Sequence, residues 1–458
     1  MMIRQKEFEI QRQLSRVVVD IERTGLCVDV DYCNQQAEVA SQDIRDVKAE
    51  LNQYTASVNW ASPMQITAFL HDELRLTPSP IFGKGEVKRG ERAADRVALE
   101  WIGHRHPEYK GLTDAIIRLR RANSGLKYMT KLPKFVNPVD GLVHPVIGPL
   151  SDDDDRTGAK TGRWGIKSPE LMQLPSDNNK DFYACRKAIT GMPGEVLIAA
   201  DQSQLEMVIL AHITTELFGE PGRYLASFLA PGAPDLHSSN ARGVYGGFLG
   251  QSHPDGRSLL DIAVDEWKKD EYLAQLRNYV KSIWYGLQYG KDTYGFGRTL
   301  LDQHGMPIGE ERAAGFVAGL KASQPAVQCW QDWVAERVSE DKYSWSLGGR
   351  IADFRKQVNS GNKWEWARAY RKYLNFPMQA SGADILAAIM IRIAACPELK
   401  SLGARLCLQV HDEVVLRCQE KNKDRAMELV KDYMETTVKL SLPMRSSVGY
   451  GKTYWDAK

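Results

Sequence analysis

The chain has 458 residues, of which 43% are hydrophobic and 26% charged, a balance that excludes a disordered, fibrous or membrane-embedded chain. At roughly 150 residues per domain it should form about three domains or one large mosaic. Sixty basic residues against 58 acidic ones leave a net charge of +2, so a polyanionic partner would have to be held by a local basic surface.

The start, MMIRQKEFEIQRQ, has no apolar stretch long enough for a signal peptide, and no later run approaches the ~20 apolar residues that cross a bilayer. A soluble protein without membrane contact is expected, cytoplasmic in a bacterial cell or a phage-infected host. Phe8, Ile10, Leu14, Val17, Val18 and Ile21 recur at helical spacing and Gly25 stands where a helix would stop, so residues 7–23 are predicted to form one amphipathic helix. From about 35 to 135 most segments read as polar-faced helices, broken by Pro63, Pro78, Pro80 and the Gly/Lys-rich stretch 83–90, which predicts a separate helical lobe. The lobe ends in a stretch, 118–134, where Arg118, Arg120, Arg121, Lys127, Lys131 and Lys134 have no acidic residue among them. Taken alone, that stretch is equally a phosphate-binding surface or a solvated helix face. Asp152–Asp155 reads as a solvated loop, since four consecutive side chains do not easily converge on one ion.

Val196–Ala200 is an apolar run after the turn Pro193-Gly194, and Leu406 to Leu416 is two apolar runs meeting at His411-Asp412. These strands are expected to share one sheet. A mainly helical region at 214–345 lies between them, with turns at Pro231-Gly232, Pro254-Asp255-Gly256 and Gly305. Each strand delivers acid: Asp201 and Glu206 after the first, Asp412 and Glu413 at the hairpin tip of the second. Carboxylates at strand ends suit Mg²⁺, which prefers hard oxygen ligands and keeps waters and substrate phosphates in its shell. Two such carboxylates can hold two ions ~3.5–4 Å apart for an in-line displacement. Taken singly, each is better read as a turn or cap residue.

Arg277, Lys281, Tyr285 and Tyr289 recur every four residues, so on a helix they form one stripe of two cations followed by two aromatic faces. A triphosphate and a stacked base fit that order, and the plainer alternative is a half-buried helix with snorkelling bases. The seven cysteines are scattered and contain no C-x-x-C pair, which argues against a disulfide framework or a zinc ribbon and for small buried hydrophobes. His104-Arg105-His106 lacks a second pair of ligands, and Gly286 to Lys291 is too short for a phosphate loop.

In chain order, DQSQLEMV at 201–208, RNYVKSIWYGLQYG at 277–290 and QVHDE at 409–413 resemble motifs A, B and C of family A DNA polymerases, the DNA polymerase I family. TGAKTGRWG at 157–165 followed by ELMQLP, DLH at 235–237, RKYLNFPMQ at 371–379 and the tail VGYGKTYWDAK extend the resemblance over almost the whole chain. It implies an α+β, mainly helical, right-hand polymerase fold. An N-terminal helix at 1–30 would pack on the palm, 31–135 would be the helical thumb, 136–213 and 346–458 the palm with its antiparallel sheet, and 214–345 the helical fingers.

The resemblance also implies a DNA-directed DNA polymerase, acting in replication or repair, that extends a DNA primer with dNTPs by two-metal phosphoryl transfer. Asp201 and Asp412 would bind two Mg²⁺ ions, with Mn²⁺ able to substitute, and Glu413 would support them. Arg277, Lys281 and His237 would hold the triphosphate, with Lys281 also neutralising or protonating the departing pyrophosphate. Tyr285 and Tyr289 would border the sugar and the nascent base pair, Glu206 would crowd the place of a 2′-hydroxyl, and Gln204 would lie beside the nucleotide. Arg163, Arg371, Asn375, Gln379 and His411 match positions that touch the primer-template duplex near its growing end. Arg118, Arg121, Lys127 and Lys131 would bind DNA from the thumb.

Some residues depart from the family pattern. Gln202 replaces the usual aromatic of motif A and Val208 its usual Arg, which should alter the packing between palm and fingers. Met172-Gln173 stand where the family favours Gln-Asn. The polymerase region begins almost at once, so neither a 3′-5′ nor a 5′-3′ exonuclease is expected here. Proofreading would come from a separate polypeptide or be absent, and a separate exonuclease or a replisome protein is the expected protein partner of this monomer, an organisation that resembles polymerases of phages or mobile elements. A single-subunit RNA polymerase is the first rival, and Glu206 argues against it. A silent DNA-binding paralogue has no need of Asp201, Asp412, Arg277 and Lys281 together, and a phosphodiesterase leaves the Arg-Lys-Tyr-Tyr stripe unexplained.

Overall fold

Leu14, Val17, Val18 and Ile21 turn one face of the first helix, α1 (Met2–Thr24), into the protein, and Gly25 ends it at a φ of +60° that a side chain would resist. The structure is a computed structural model that describes residues 2–78, 81–82, 87–88, 92–148, 161–174, 184–291, 293, 295–297 and 310–457. The Asp152–Asp155 block, most of the Gly/Lys-rich stretch 83–90, the first part of TGAKTGRWG and the turn at Gly305 lie outside those residues.

After β1 (Leu26–Val28) the chain forms α2 (Val30–Asn52), whose start is capped by the Asp29 carboxylate accepting from the Tyr32 N–H. Next come α3 (Pro63–Ala68), β2 (Ile81–Phe82), β3 (Val87–Lys88), α4 (Arg96–Arg105) and α5 (Lys110–Lys131). Leu51, Trp60, Phe69, Leu70, Leu99, Ile102, Ile116 and Leu119 bury one another there in a core that shares no buried residue with the rest of the molecule. The helical lobe expected between 35 and 135 thus has its own interior.

The remainder contains β4 (Leu142–Val143), β5 (Val146–Gly148), β6 (Gly165–Ser168), β7 (Ile189–Thr190) and β8 (Glu195–Gln202). Helices follow: α6 (Leu205–Phe218), α7 (Glu220–Ser227), α8 (Leu236–Ala241), α9 (Glu271–Gln288), α10 (Glu310–Ser323) and α11 (Pro325–Glu340). Then come β9 (Tyr343–Trp345), β10 (Ile351–Asp353), α12 (Lys363–Ala395), β11 (Arg405–Val410), β12 (Glu413–Gln419), α13 (Lys423–Thr436) and β13 (Ser446–Gly451).

The two sequence-predicted strand regions do share a sheet, ordered β11-β12-β8-β13 and antiparallel throughout. β8 is interior to it, and Val196 to Ala200 are buried on both faces, which explains an apolar run without alternation. β13 was not foreseen, because SSVGYG carries two glycines and little apolar alternation. α1 packs on β11 and on α12. α12 is also longer and more apolar than the sequence reading allowed: by length and composition it could cross a bilayer, yet 61% of its apolar window is buried, with α1, α6, α11 and α13 packed against the helix.

Candidate active site

Strand β8 ends in acid at the same edge where β11 turns into β12. Register pairs Asp201 with Glu413, and the Gln202 N–H donates to the Asp412 carbonyl at 3.2 Å. Asp201, Asp412 and Glu413 are therefore neighbours at one end of the sheet. Only His411 and Asp412 separate the paired residues Val410 and Glu413, and His411 has a φ of +53°, costly for a residue with a Cβ. The Gln409 amide donates to the His411 carbonyl and clamps that tip, a role that sequence reasoning missed.

Arg163 joins this edge from β6's side. Its guanidinium donates to the Glu206 carboxylate at 2.5 Å, and Glu206 lies in the first turn of α6. Burial pushes the Glu206 carboxyl above its ordinary range and Asp412 adds to that, while Arg163 opposes it. Asp412 is likewise pushed up by burial, with Arg163 and His411 pulling it down. Arg163, expected only as a duplex contact, is therefore the cation shared by two half-buried carboxyls. Burial raises the Tyr285 phenol too, and the charge of Glu206 adds to that. Behind Arg163, Gly162 has a φ of +79°, and a Cβ there would come within 2.4 Å of the Arg350 guanidinium. Arg350 is itself fixed by a buried pair with Asp384 at 2.5 Å, both side chains 8% exposed. Arg350 thus packs closely against the segment that carries Arg163.

α9 carries Arg277, Lys281 and Tyr285, while Tyr289 is its C-cap, just past the last helical residue. Arg277 is committed to Asp235 by two hydrogen bonds, Nε to Oδ2 at 2.8 Å and Nη2 to Oδ1 at 3.1 Å. Asp235 also pairs with Lys268 at 2.9 Å and caps α8 by accepting from the Ser238 N–H and hydroxyl. Burial works to raise the Asp235 carboxyl, but the bonds from Arg277, Lys268 and Ser238 together hold it far below the usual range. His237 is buried and its imidazole is lowered to about 4, chiefly by burial and further by Arg277 and Lys281, so it is neutral at pH 7. Its ring lies 5.8 Å from that of Tyr285. Lys281 is exposed on the stripe and Gln204, at a φ of +54°, is exposed before α6.

Arg371, Asn375 and Gln379 share one face of α12, as a four-residue spacing requires. Gly290 seats this face on the end of α9: a Cβ there would meet Leu374 Cδ1 at 2.6 Å and Arg371 Cγ at 3.6 Å. The basic run of α5 is less coherent than expected. Arg118 is balanced by Glu50 of α2 at 3.0 Å, and Lys127 and Lys131 project from the opposite side of the helix to Arg118. Gln202, the departure in motif A, is buried and donates to the Met434 carbonyl of α13 at 2.6 Å.

Asp201 and Asp412 offer hard oxygens, and among the described residues no three His, Cys, Asp or Glu side chains gather as a metal cage. Two carboxylates with the rest of the shell left to water and phosphate is the donor set that Mg²⁺ accepts, and a bound cation would relieve the burial of Asp412.

The profile described as DNA polymerase family A matches residues 30–260 and 251–456. A thermostable DNA polymerase I of Thermus thermophilus is 29% identical over 455 residues, covering 98% of this chain and 48% of its own. DNA polymerase I of Geobacillus stearothermophilus is 26% identical over 452 residues, 98% of this chain and 46% of the relative. The chain thus spans about half the length of these curated relatives. Among solved structures, the POL domain of Pol1 from M. smegmatis, in complex with DNA primer-template and dNTP, superposes with a TM-score of 0.81 at 25% identity, covering 98% of this chain and 70% of that one.

Proposed function

The chain belongs to DNA polymerase family A and has its right-hand fold, and from that premise we propose that it extends the 3′ end of a DNA primer along a DNA template with dNTPs. The observation that carries the reading is the meeting, at one sheet edge, of Asp201, Asp412, Glu206 and Arg163, with Tyr285 of the Arg277-Lys281 helix close enough to feel Glu206. Residues 31–135 are assigned to the thumb, 136–213 and 346–458 to the palm with the 1–30 helix against it, and 214–345 to the fingers.

Asp201 and Asp412 would hold two Mg²⁺ ions, or Mn²⁺ in their place, with Glu413 in support. Those ions would neutralise charge on the attacking and leaving oxygens. Phosphoryl transfer otherwise asks mainly for in-line placement and charge neutralisation. Arg277, steadied by Asp235, and exposed Lys281 one turn on would receive the triphosphate, Lys281 being free to follow the pyrophosphate as it leaves. Neutral His237 would donate a hydrogen bond to it, not a charge. Tyr285 and Tyr289 would border the sugar and nascent pair, with Gln204 nearby, and Glu206 would exclude a 2′-hydroxyl. Arg163, Arg371, Asn375, Gln379 and His411 would touch the duplex near the growing end through phosphates and shared minor-groove acceptors. Arg121, Lys127 and Lys131 would add thumb contacts, and Arg118 only by leaving Glu50.

The reading assigns polymerase chemistry alone to residues 30–456, which the family match occupies. The test is extension of a labelled primer with Mg²⁺ and dNTPs by wild type and Asp412→Asn. Extension by wild type alone supports the reading. Extension with NTPs in preference to dNTPs, or tight duplex binding with no extension, defeats it, and primer trimming that Asp201→Ala abolishes defeats the exonuclease-free form.

A further inference from the structure

Trp364 is the most exposed aromatic side chain among the described residues, at 81%. It lies in the first turn of α12, whose start is fixed by the Asn362 side chain accepting from the Trp364 N–H. Its neighbours are used differently. Trp366 stacks on Tyr370 with rings 5.6 Å apart, and the Trp366 indole and Tyr370 hydroxyl donate to Ser339 and Gln331 of α11. Those two hold the helix to the fingers, and Trp364 does none of this.

The stripe on which Trp364 stands continues C-terminally through Arg368, Arg371, Asn375 and Gln379 at spacings of four, three, four and four residues, within one face of the helix. Arg368, Arg371 and the adjacent Lys372 are exposed and make no ion pair or side-chain hydrogen bond with any described residue. An aromatic face followed by unpaired cations is what an unstacked nucleic-acid strand binds: bases stack on the ring and phosphates meet the charges.

Direction along the helix decides which strand this is. Gly290, at the end of α9, abuts Arg371 and Leu374, so on the proposed reading Arg371 is level with the nascent base pair that Tyr289 borders. Asn375 and Gln379 then lie on the side of the finished duplex, and Arg368 and Trp364 lie on the other. Seven residues separate Arg371 from Trp364, about 10 Å of helix, or roughly three nucleotides of a template strand that keeps the axial rise it has in the duplex. We infer that Trp364, with Arg368, is a stacking site for the unpaired template strand, about three nucleotides ahead of the primer end. The inference rests on the polymerase assignment.

The experiment measures the affinity of wild type, Trp364→Ala, Trp364→Phe and Arg368→Gln for primer-templates carrying one, three or six unpaired template nucleotides, at fixed salt. Wild type should bind the longer overhangs more tightly. Trp364→Ala should lose about tenfold at three or six nucleotides, the scale of one lost base stack, and little at one. Trp364→Phe should keep most of the gain, and Arg368→Gln should flatten the salt dependence with the longer overhangs. Wild-type affinity that ignores overhang length overturns the inference while leaving the polymerase reading in place, provided primers are extended. An equal loss by Trp364→Ala at every length would put the ring on duplex, and altered self-association with unaltered DNA affinity would give it to a second copy; both overturn it. Failure of wild type to bind any primer-template defeats the polymerase reading as well.

Discussion

Asp201 and Glu413 stand directly opposite each other in the antiparallel pair of β8 and β12. Like charges in that relation oppose folding, and Asp412 and Glu206 crowd the same edge with Arg163 between them. The sheet edge thus gathers acid around a single arginine, which is what a site reserved for cations and phosphates should look like.

Asp412 gives this idea a pH signature. Burial lifts its folded pKa above the unfolded value of about 3.9, so metal-free protein should lose stability as pH rises from the ordinary carboxylate range through the folded value. Asp412→Asn removes that loss. At neutral pH without Mg²⁺ the variant should melt no lower than wild type, and added Mg²⁺ should raise the melting temperature of wild type more than that of the variant. A variant that melts lower under both conditions would mean the carboxylate is structural.

Activity should respond oppositely. Asp201→Asn and Asp412→Asn are each expected to slow primer extension by about a thousandfold, the order lost with one strong electrostatic stabiliser, while duplex affinity changes only a few-fold. Single-turnover extension and anisotropy binding on the same preparations check both halves.

Glu206→Ala should admit ribonucleotides. Opening the space beside the sugar should shrink the ratio of kcat/KM for dNTP over NTP by about ten- to two-hundredfold, the range for a small steric difference in a pocket. Arg163 loses its carboxylate in that variant, so Arg163→Gln is the companion measurement. An unchanged ratio in Glu206→Ala would exclude the gate.

Asp235 holds Arg277, Lys268 and the start of α8 through one carboxylate whose folded pKa is depressed. Its contribution should be complete above the unfolded value of about 3.9 and disappear as pH falls below it. Urea unfolding of wild type and Asp235→Asn should show a stability gap at pH 6–8 that closes in acid. A gap independent of pH would mean that the ion pairs contribute nothing net.

Gly290→Ala should destabilise by roughly 1–3 kcal/mol, through the positive φ and through the Leu374 methyl that a Cβ would meet. Leu374→Ala in the same background should not restore stability fully, because the backbone strain remains. Denaturant midpoints of the single and double variants decide it.

The elements legible in the sequence were those whose signal is local. The apolar face of α1, the buried run of β8, the hairpin tip at His411-Asp412 and the four-residue stripe of α9 are each written within about twenty residues. The pairings that complete the site are not. Arg163 finds Glu206 43 residues away, Arg277 finds Asp235 at 42, and Arg118 is balanced by Glu50 at 68, so three side chains that read as free cations are engaged once the chain folds. Gln202 reads as a departure at a domain contact, yet its partner Met434 is 232 residues on and inside the sheet's own helix layer. β13, with two glycines in six residues, leaves no apolar alternation to detect.

The core under α2, α4 and α5 is small and closed off from the core that surrounds β8. It buries far less apolar surface, and small interiors are the marginal ones. Calorimetry is therefore expected to record two transitions, the helical lobe giving way at the lower temperature while the carboxylate edge remains intact. On the proposed reading, protein held between the two transitions would still join nucleotides but release the template after each few, distributive before it is dead.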